Sequence, residues 1–283
     1  MTTVPIERRV AVNGVELALW EWPGVGAPLV FVHGNGFHGR CWDQIITQLA
    51  PHHCYAVDLR GHGRSSKPAP PYDWRTFGAD VVALGRALDL HGAIGIGHSL
   101  GGHAVALAAA RAPELFASAL LLEPVLLPRA WYSGPPAPEH FAGRRRNEWA
   151  SPDEMFARFK DRPPFKGWDH AVLRDYCDYG LLPAPSGDGF VLACPPAIEG
   201  AIYAAGQAAD IYDEIANVTI PVQVVRAGQQ DATQSWDMLA SATAPDLAEH
   251  FARGRDLHLP KYSHFLPMEA PALIVGLVRE LAG

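Results

Sequence analysis

One serine stands in a setting that suits a nucleophile. Ser99 is the centre of the stretch GHSLG at 97–101, which has the form G-x-S-x-G. An apolar run precedes it and small residues follow it, so the serine falls at a predicted turn from a strand into a helix. Glycines permit the sharp, strained backbone of such a turn, which leaves the serine hydroxyl exposed. The pattern therefore predicts a serine that is presented for nucleophilic attack.

The base and the acid that a serine nucleophile needs are predicted downstream of it. A base takes the hydroxyl proton, and a carboxylate orients that base. His264, in a predicted loop before the last helix, is our candidate base, and His258 is the alternative. Asp231, which follows a predicted strand, is our candidate acid. Glu123 ends an earlier strand and is either the alternative acid or a pocket residue that binds a polar substrate group.

Backbone amides beside the serine are predicted to form an oxyanion hole. The amide of Leu100 lies at the N-terminus of a predicted helix, where negative charge on a substrate oxygen is stabilised. The glycine-flanked stretch FVHGNGF offers a second donor, and the backbone N–H of Asn35 is our main candidate. The amides of Gly36 and Phe37 are alternatives, because the sequence does not determine the loop conformation.

The predicted elements place these residues along one edge of a sheet. Alternating residues around Asn13-Gly14 predict an antiparallel hairpin. Short apolar runs then alternate with helical stretches as far as Glu123, and again from Ile220 onward, which predicts a parallel sheet with helices on both faces. Between about Pro124 and Asn217 the pattern changes to Pro-rich loops, aromatic residues and helical pieces, so a helical insertion is expected there.

Several stretches occur together in a characteristic order. They are HGNG at 33–36, DLRGHGRSS at 58–66, GHSLGG at 97–102, the acid loop at Asp231 and SHFLPMEAP at 263–271. As a set they resemble the α/β-hydrolase fold superfamily, in its group of serine esterases, lactonases and cofactor-free haloperoxidases. The resemblance covers about two-thirds of the chain and matches the order serine, acid, histidine.

This resemblance implies an α/β fold with a mostly parallel eight-stranded sheet, flanked by helices and carrying an inserted helical cap. Residues 1–124 and 218–283 would form the α/β-hydrolase core, and residues 125–217 the cap. It also implies that His33 and His62 brace loops, whereas His98 supports the turn at the nucleophile or tunes the pocket.

Aromatic residues are concentrated in the predicted cap. They are Trp131, Tyr132, Phe141, Trp149, Phe156, Phe159, Trp168, Tyr176, Tyr179 and Tyr203. Together they predict a largely apolar pocket with a few polar groups. Our candidate pocket residues are Trp131 and Tyr203 in the cap, with His38 and Glu123 in the core.

Composition narrows the classes of function. The chain has 283 residues, 48% of them hydrophobic, and a net charge of -7, so we expect a substantial core and no nucleic-acid partner. Arg144, Arg145 and Arg146 form the only dense cationic run and are interpreted as a solvated helix face. No phosphate loop, dinucleotide fingerprint or metal motif is present, so neither a cofactor nor a metal is expected.

The compartment is predicted from apolar runs and cysteines. No stretch has the length of a signal peptide core or of a membrane span, which predicts a cytoplasmic protein without a membrane partner. The four cysteines are dispersed and are interpreted as reduced structural thiols.

The residues therefore predict a serine hydrolase that cleaves small to medium, largely apolar carboxylic esters through an acyl-enzyme. Its partner would be a small-molecule ester or lactone, and the protein a monomer or homodimer. A lactonase, including one for macrocyclic lactones, and a C–C bond hydrolase are alternatives within catalysis. A non-catalytic ligand receptor on the same fold is the alternative outside it.

Overall fold

The computed structural model describes residues 4–133, 140–228 and 239–283. Its first part alternates strands and helices as predicted. The elements are β1 (Ile6–Val12), β2 (Val15–Trp22), β3 (Leu29–Val32), α1 (Asp43–Ile46), β4 (Cys54–Val57), α2 (Trp74–Ala87), β5 (Ala93–His98), α3 (Leu100–Arg111) and β6 (Phe116–Leu122). β1 and β2 pair antiparallel around Asn13 and Gly14, whose φ angles of 44° and 75° suit a tight hairpin turn. The predicted hairpin is confirmed.

The middle of the chain contains short elements of both kinds. They are β7 (Glu148–Trp149), α4 (Pro152–Phe159), α5 (His170–Tyr179), β8 (Leu181–Pro183), β9 (Phe190–Leu192), α6 (Pro196–Ala205) and α7 (Tyr212–Ile215). The predicted helical pieces are present. Within residues 140–228, β7, β9 and β8 also form a small antiparallel sheet that the sequence did not predict. Strands of two or three residues are too short to show an alternating pattern.

The last part of the chain completes the main sheet. Its elements are β10 (Val222–Arg226), β11 (Gly254–His258), α8 (Leu266–Glu269) and α9 (Pro271–Ala282). A helix predicted near 235–242 falls largely outside the described residues. Among the described strands, eight form one sheet in the order β1-β2-β4-β3-β5-β6-β10-β11. In this sheet β2 runs antiparallel to β1 and β4, whereas the remaining neighbours, in the order β4-β3-β5-β6-β10-β11, pair parallel. The predicted fold class is confirmed.

The central strands are buried because helices cover both faces of the sheet. In β3, Val30 and Val32 pack in the cluster that contains α2 and α3, and Leu29 and Phe31 pack on the opposite face with α1 and α9. The chain leaves the sheet after β6 and returns at β10, and we call the residues between these strands the insertion. The division at 125–217 into core and cap stays a prediction. No helix in the described ranges has both the length and the apolar character to cross a bilayer.

Candidate active site

The backbone at Ser99 makes a sharp turn between β5 and α3. The residue has φ 56° and ψ -119°, a backbone conformation that residues other than glycine rarely adopt. Two glycines make the turn feasible by allowing the backbone to approach closely. A Cβ on Gly97 would lie 2.4 Å from the carbonyl oxygen of Gly101, and one on Gly101 would lie 2.1 Å from that of Val32. The predicted strand-to-helix turn at the serine is thus confirmed.

Alanine at Gly101 should destabilise the fold. The added methyl group must displace the backbone of β3, so we expect the free energy of unfolding to fall by about 3 kcal/mol. Gly276 is the matched control, because it lies in the exposed face of α9 and a Cβ there meets no atom within 4 Å. Gly276→Ala should raise the free energy of unfolding by about 0.5–1 kcal/mol. Urea unfolding of both variants checks the pair, and equal effects would contradict the close packing described.

The serine, a histidine and a carboxylate are connected by hydrogen bonds. Ser99 Oγ lies 3.1 Å from Nε2 of His264, and Nδ1 of His264 lies 3.0 Å from Oε2 of Glu123. A carboxylate only accepts, so Nδ1–H donates to Glu123 and Nε2 is left to accept from the serine hydroxyl. The His264 backbone is held at both ends, since its N–H donates to the Leu239 carbonyl at 2.7 Å and its carbonyl accepts from Nε2 of His98 at 2.9 Å. This arrangement prepares the serine for deprotonation.

Glu123 is held rigidly at the end of β6. The residue is fully buried and has φ 48°. Its Oε1 accepts hydrogen bonds from the backbone N–H of Ala227 and, at 2.7 Å, from the hydroxyl of Ser241. Its Oε2 is left to His264. Both oxygens of this buried carboxylate therefore have partners, as buried polar groups require.

The histidine thus bonds to a carboxylate other than the one preferred from the sequence. Asp231 lies outside the described residues, and the bond to Nδ1 of His264 is made by Glu123, the alternative acid. Nδ1 carries a single hydrogen, so this bond occupies its donor capacity. His258, the alternative base, is an exposed residue at the end of β11. The hydrogen bond to Ser99 belongs to His264.

Two of the amides considered for the oxyanion hole are already bonded. The N–H of Gly36 donates to Nε2 of His62 at 3.0 Å. The N–H of Phe37 donates to the carbonyl of Gly34 at 3.2 Å. Neither amide is therefore available to a substrate oxygen without breaking a bond within the loop.

The backbone amides of Asn35 and Leu100 remain available to donate to a substrate oxygen. Within the described residues, neither N–H has a hydrogen-bond acceptor. Their loop and helix meet at the serine, since a Cβ on Gly34 would lie 3.0 Å from Cβ of Ser99. The side chain of Asn35 donates to the carbonyl of Glu199 at 3.0 Å, which fixes the loop to the insertion. Both predicted donors thus have free N–H groups beside the nucleophile.

His33 and His62 brace the loops around this site, as expected. Nδ1 of His33 donates to the carbonyl of Gly34 at 2.7 Å, and its Nε2 accepts from the amide of Leu59 at 3.0 Å. Nδ1 of His62 donates to the carbonyl of Arg60 at 3.0 Å. Burial lowers the pKa of each ring to about 3, so both stay neutral and keep these fixed tautomers.

His98 supports the base as well as the turn. It is fully buried, and its ring lies 5.2 Å from the ring of His264. Burial lowers the pKa of His98 to about 3, and the neutral ring donates through Nε2 to the His264 carbonyl. The sequence placed His98 at the nucleophile but contained no sign of this bond, which joins residues 166 positions apart.

A cavity of about 340 Å³ adjoins the site. One part of its wall is the loop that contains Asn35, Gly36 and Phe37, and Phe265, the residue after His264, also lines it. The remainder of the wall comes from the insertion and contains aromatic side chains and arginines. Most of the surface is therefore apolar, with charged groups at defined places.

The four candidate pocket residues have different positions. Tyr203 lines the cavity, and its role in a substrate pocket stays a prediction. Trp131 does not line it, because it lies in a surface turn after β6 and is 62% exposed. His38 is buried but turned away, since its Nε2 donates to the carbonyl of Tyr176 at 3.2 Å. Glu123 does not line the cavity, and its carboxylate accepts a hydrogen bond from His264 instead. The assignment of Trp131, His38 and Glu123 to a substrate pocket finds no support in this cavity and stays a prediction.

The arginine run is not simply a solvated helix face. Arg144 and Arg146 are exposed and Arg145 is half-buried, and both Arg145 and Arg146 line the cavity. The guanidinium of Arg145 bonds the Glu199 carboxylate at 2.8 Å and the Tyr176 hydroxyl oxygen at 2.9 Å. Burial raises the pKa of Tyr176 to about 12, so the hydroxyl stays protonated. The interpretation of the three arginines as one face of a helix is wrong, because the chain makes only a short 3₁₀ turn that ends at Arg144.

The sheet order and the turn at the serine define an α/β-hydrolase. Residues 29–277 match the model of the alpha/beta hydrolase family, and the chain belongs to that family. Lipase LipV of Mycobacterium tuberculosis is 30% identical over 92% of this chain and 95% of its own length. A non-heme chloroperoxidase of Streptomyces lividans is 43% identical over 40% of this chain and 42% of its own. The chain thus spans less than half of the chloroperoxidase and nearly all of the lipase.

Solved structures share the fold over nearly the whole chain. E-2-(acetamidomethylene)succinate hydrolase superposes with a TM-score of 0.77 at 22% identity, covering 98% of both chains. The enol-lactonase from Burkholderia xenovorans LB400 superposes with a TM-score of 0.69 at 22% identity, covering 96% of this chain and 98% of its own. At such identities the likeness establishes the fold, and the substrate must be argued from the site.

Proposed function

We propose that the protein is a serine hydrolase of carboxylic esters, with lactones as cyclic members of the same class. One observation carries the proposal, namely the continuous hydrogen-bonded path from Ser99 Oγ through His264 to Glu123, at 3.1 Å and 3.0 Å. These distances allow proton transfer from the serine hydroxyl to the imidazole. A receptor that only binds a ligand needs no such path.

In the first half of the reaction, Ser99 Oγ attacks the ester carbonyl carbon while His264 Nε2 takes the hydroxyl proton. Glu123 holds the tautomer that accepts this proton, and its charge stabilises the imidazolium that forms. The amides of Asn35 and Leu100 donate to the oxyanion of the tetrahedral intermediate. His264 then gives the proton to the leaving alcohol, and the C–O bond to the alcohol breaks to leave an acyl-serine.

The second half of the reaction repeats these roles with water. His264 removes a proton from a water molecule, which attacks the acyl carbonyl, and the same amides hold the second oxyanion. The proton returns to Ser99 Oγ as the acyl C–O bond breaks, which releases the carboxylic acid. No step requires a cofactor or a metal, so the partner of this chain is the small-molecule ester itself.

The substrate class follows from the chemistry of attack and from the cavity. An open-chain ester and a lactone present the same carbonyl to the serine. The similarity of the chain to a lipase and to an enol-lactonase supports a panel that contains both open-chain esters and lactones. A cavity of about 340 Å³ lies at the small end of ligand pockets, which favours small to medium acyl or alcohol groups.

Hydrolysis of p-nitrophenyl esters of increasing acyl length, with a lactone panel beside them, tests the proposal. We expect turnover of short and medium esters, and covalent modification of Ser99 by a fluorophosphonate, located by peptide mass spectrometry. Heat-unfolded protein, in which the triad is not assembled, is the control for labelling. Absence of both turnover and labelling in the folded protein would overturn the hydrolase and favour the receptor.

A further inference from the structure

Positive charge is concentrated in the wall of the cavity. Four arginines line it, at positions 145, 146, 158 and 162, and the only carboxylate among the described lining residues is Glu199. The whole chain has a net charge of -7, so this local excess is opposite in sign to that of the molecule. A concave site of one sign concentrates the field and raises the local concentration of ligands of opposite charge.

Two of these arginines are neutralised within the protein. Arg145 is paired with Glu199 at 2.8 Å. Arg146 is paired with Glu154 at 2.6 Å, and its guanidinium lies 4.2 Å from the ring centroid of Trp149. These bonds hold the two side chains in the wall and leave little net charge for a ligand.

The other two arginines have no such partner. In the described part of the chain, no carboxylate oxygen lies within 4.0 Å of the side-chain nitrogens of Arg158 or Arg162. Both residues are exposed, so they lie where the cavity meets solvent. Arg158 is in the last turn of α4, and Arg162 follows that helix. Two exposed guanidinium groups four positions apart thus face the entrance. Among the described residues neither is bonded to a carboxylate, and Glu154, which is paired with Arg146, acts on Arg158 only through its charge.

Aromatic rings separate this entrance from the nucleophile. Phe159 and Phe165 stack with centroids 4.3 Å apart and an interplanar angle of 7°, and both line the cavity. Trp168 and Phe265 continue the wall toward the histidine base. At one end of the cavity a ligand therefore contacts Asn35 and Phe265, which adjoin the reacting groups, and beyond the apolar stretch it meets two exposed arginines that no carboxylate bonds among the described residues.

From this order we propose that the cavity selects esters that bear a carboxylate at the end remote from the reacting carbonyl, and that Arg158 and Arg162 bind that carboxylate. This inference rests on the proposed function and specifies its substrate class. Guanidinium groups bind carboxylates through paired hydrogen bonds, whereas a neutral chain end at the same place would leave both cations unpaired. Discrimination follows from the charge at the remote end.

A matched set of esters tests the proposal. The p-nitrophenyl monoester of adipic acid carries a free carboxylate, and its methyl diester counterpart has the same chain without the charge. We expect kcat/KM to be about tenfold higher for the monoester, because each partly exposed ion pair contributes up to about fivefold. The acetate ester of 4-(hydroxymethyl)benzoic acid carries its carboxylate on the alcohol side, and the corresponding methyl benzoate is its uncharged counterpart. Comparing kcat/KM for this second pair shows which part of the substrate enters the cavity.

Variants at the entrance assign the effect to the two arginines. The double variant Arg158→Gln, Arg162→Gln should bring the ratio of kcat/KM for charged over uncharged ester close to one, through a higher KM for the charged ester. Arg86→Gln is the control, since Arg86 is an exposed arginine on α2 that does not line the cavity, and it should leave the ratio unchanged. Added salt should lower the ratio for the unsubstituted protein by screening.

The outcomes separate this inference from the proposed function. Hydrolysis of both esters at equal rates would overturn the inference and leave the serine hydrolase intact. A preference for the charged ester that survives the double variant would also overturn the assignment to Arg158 and Arg162. Loss of hydrolysis of every ester would overturn the proposed function. In that case, weaker binding of free adipate monomethyl ester by the double variant, measured by calorimetry, would still support the anion site.

Discussion

Replacing Ser99 by alanine should lower kcat/KM for p-nitrophenyl esters by about 10⁴-fold or more. The variant keeps the oxyanion amides and the cavity, so it should still bind substrate, but it has no group to form the acyl-enzyme. The fall should therefore appear in kcat, with KM nearly unchanged. Steady-state kinetics measures it, and the fluorophosphonate label should be absent from the variant.

Ser118→Ala provides the matched control for this substitution. Ser118 is a buried serine on β6, so the same atom is removed from a similar environment away from His264. We expect the activity of Ser118→Ala to stay within about twofold of that of the unsubstituted protein. Residual activity of Ser99→Ala close to that of the control would exclude Ser99 as the nucleophile.

Replacing Glu123 by glutamine should lower kcat by about 10³–10⁴-fold. Glutamine has nearly the same shape but carries no negative charge, and because Ala227 and Ser241 donate to the oxygen at the Oε1 position, its NH₂ group takes the place of Oε2 beside Nδ1 of His264. The imidazolium that forms as Ser99 attacks then loses its stabilisation, and the amide NH₂ group favours the wrong tautomer of the ring. Activity measurements, with circular dichroism to confirm that the variant is folded, check this effect.

Asp231→Asn decides between the two carboxylates considered from the sequence. With Glu123 bonded to His264, removal of the charge at position 231 should change kcat by less than about threefold. A large loss in Asp231→Asn together with a small one in Glu123→Gln would assign the acid to Asp231 and overturn the mechanism proposed above. The two variants remove one charge each, so the comparison does not depend on net charge.

Most of the sheet could be predicted because its strands are buried on both faces. Runs such as 29–32 and 93–97 are nearly continuous apolar or glycine stretches, which distinguishes a central parallel strand from a surface strand. The three strands of the insertion could not be predicted in this way. They depend on pairing between residues up to 43 positions apart, as in Glu148 with Val191, and not on a local pattern.

The serine and the histidine of the proposed mechanism could be selected from the sequence because each depends on a local signal. Ser99 lies in a glycine-rich turn, and His264 lies in a loop before a closing helix. The acid is different, since Glu123 and Asp231 both follow strands that end at the same edge of the sheet. Which of them bonds Nδ1 depends on backbone angles such as the φ of 48° at Glu123, which no residue pattern reveals.

The cavity wall was the least predictable part of the site. Arg145 bonds Glu199, 54 positions further along the chain, and this pair exists only once the insertion has packed. The aromatic residues of the insertion indicated an apolar pocket. They include Tyr203, which lines the cavity, and also Trp131, which is exposed and does not. Residue type alone does not tell which side of a short turn faces a cavity.

Ser99 and Glu123 follow directly on His98 and Leu122, which are paired in register on the neighbouring strands β5 and β6. Neighbouring strands lie about 4.8 Å apart, so the sheet brings the backbone of Ser99 close to that of Glu123, the proposed nucleophile and the proposed acid. The insertion begins after this pair has been placed. The insertion can therefore differ in length or sequence, and the cavity wall with it, while the paired ends of β5 and β6 keep Ser99 beside Glu123.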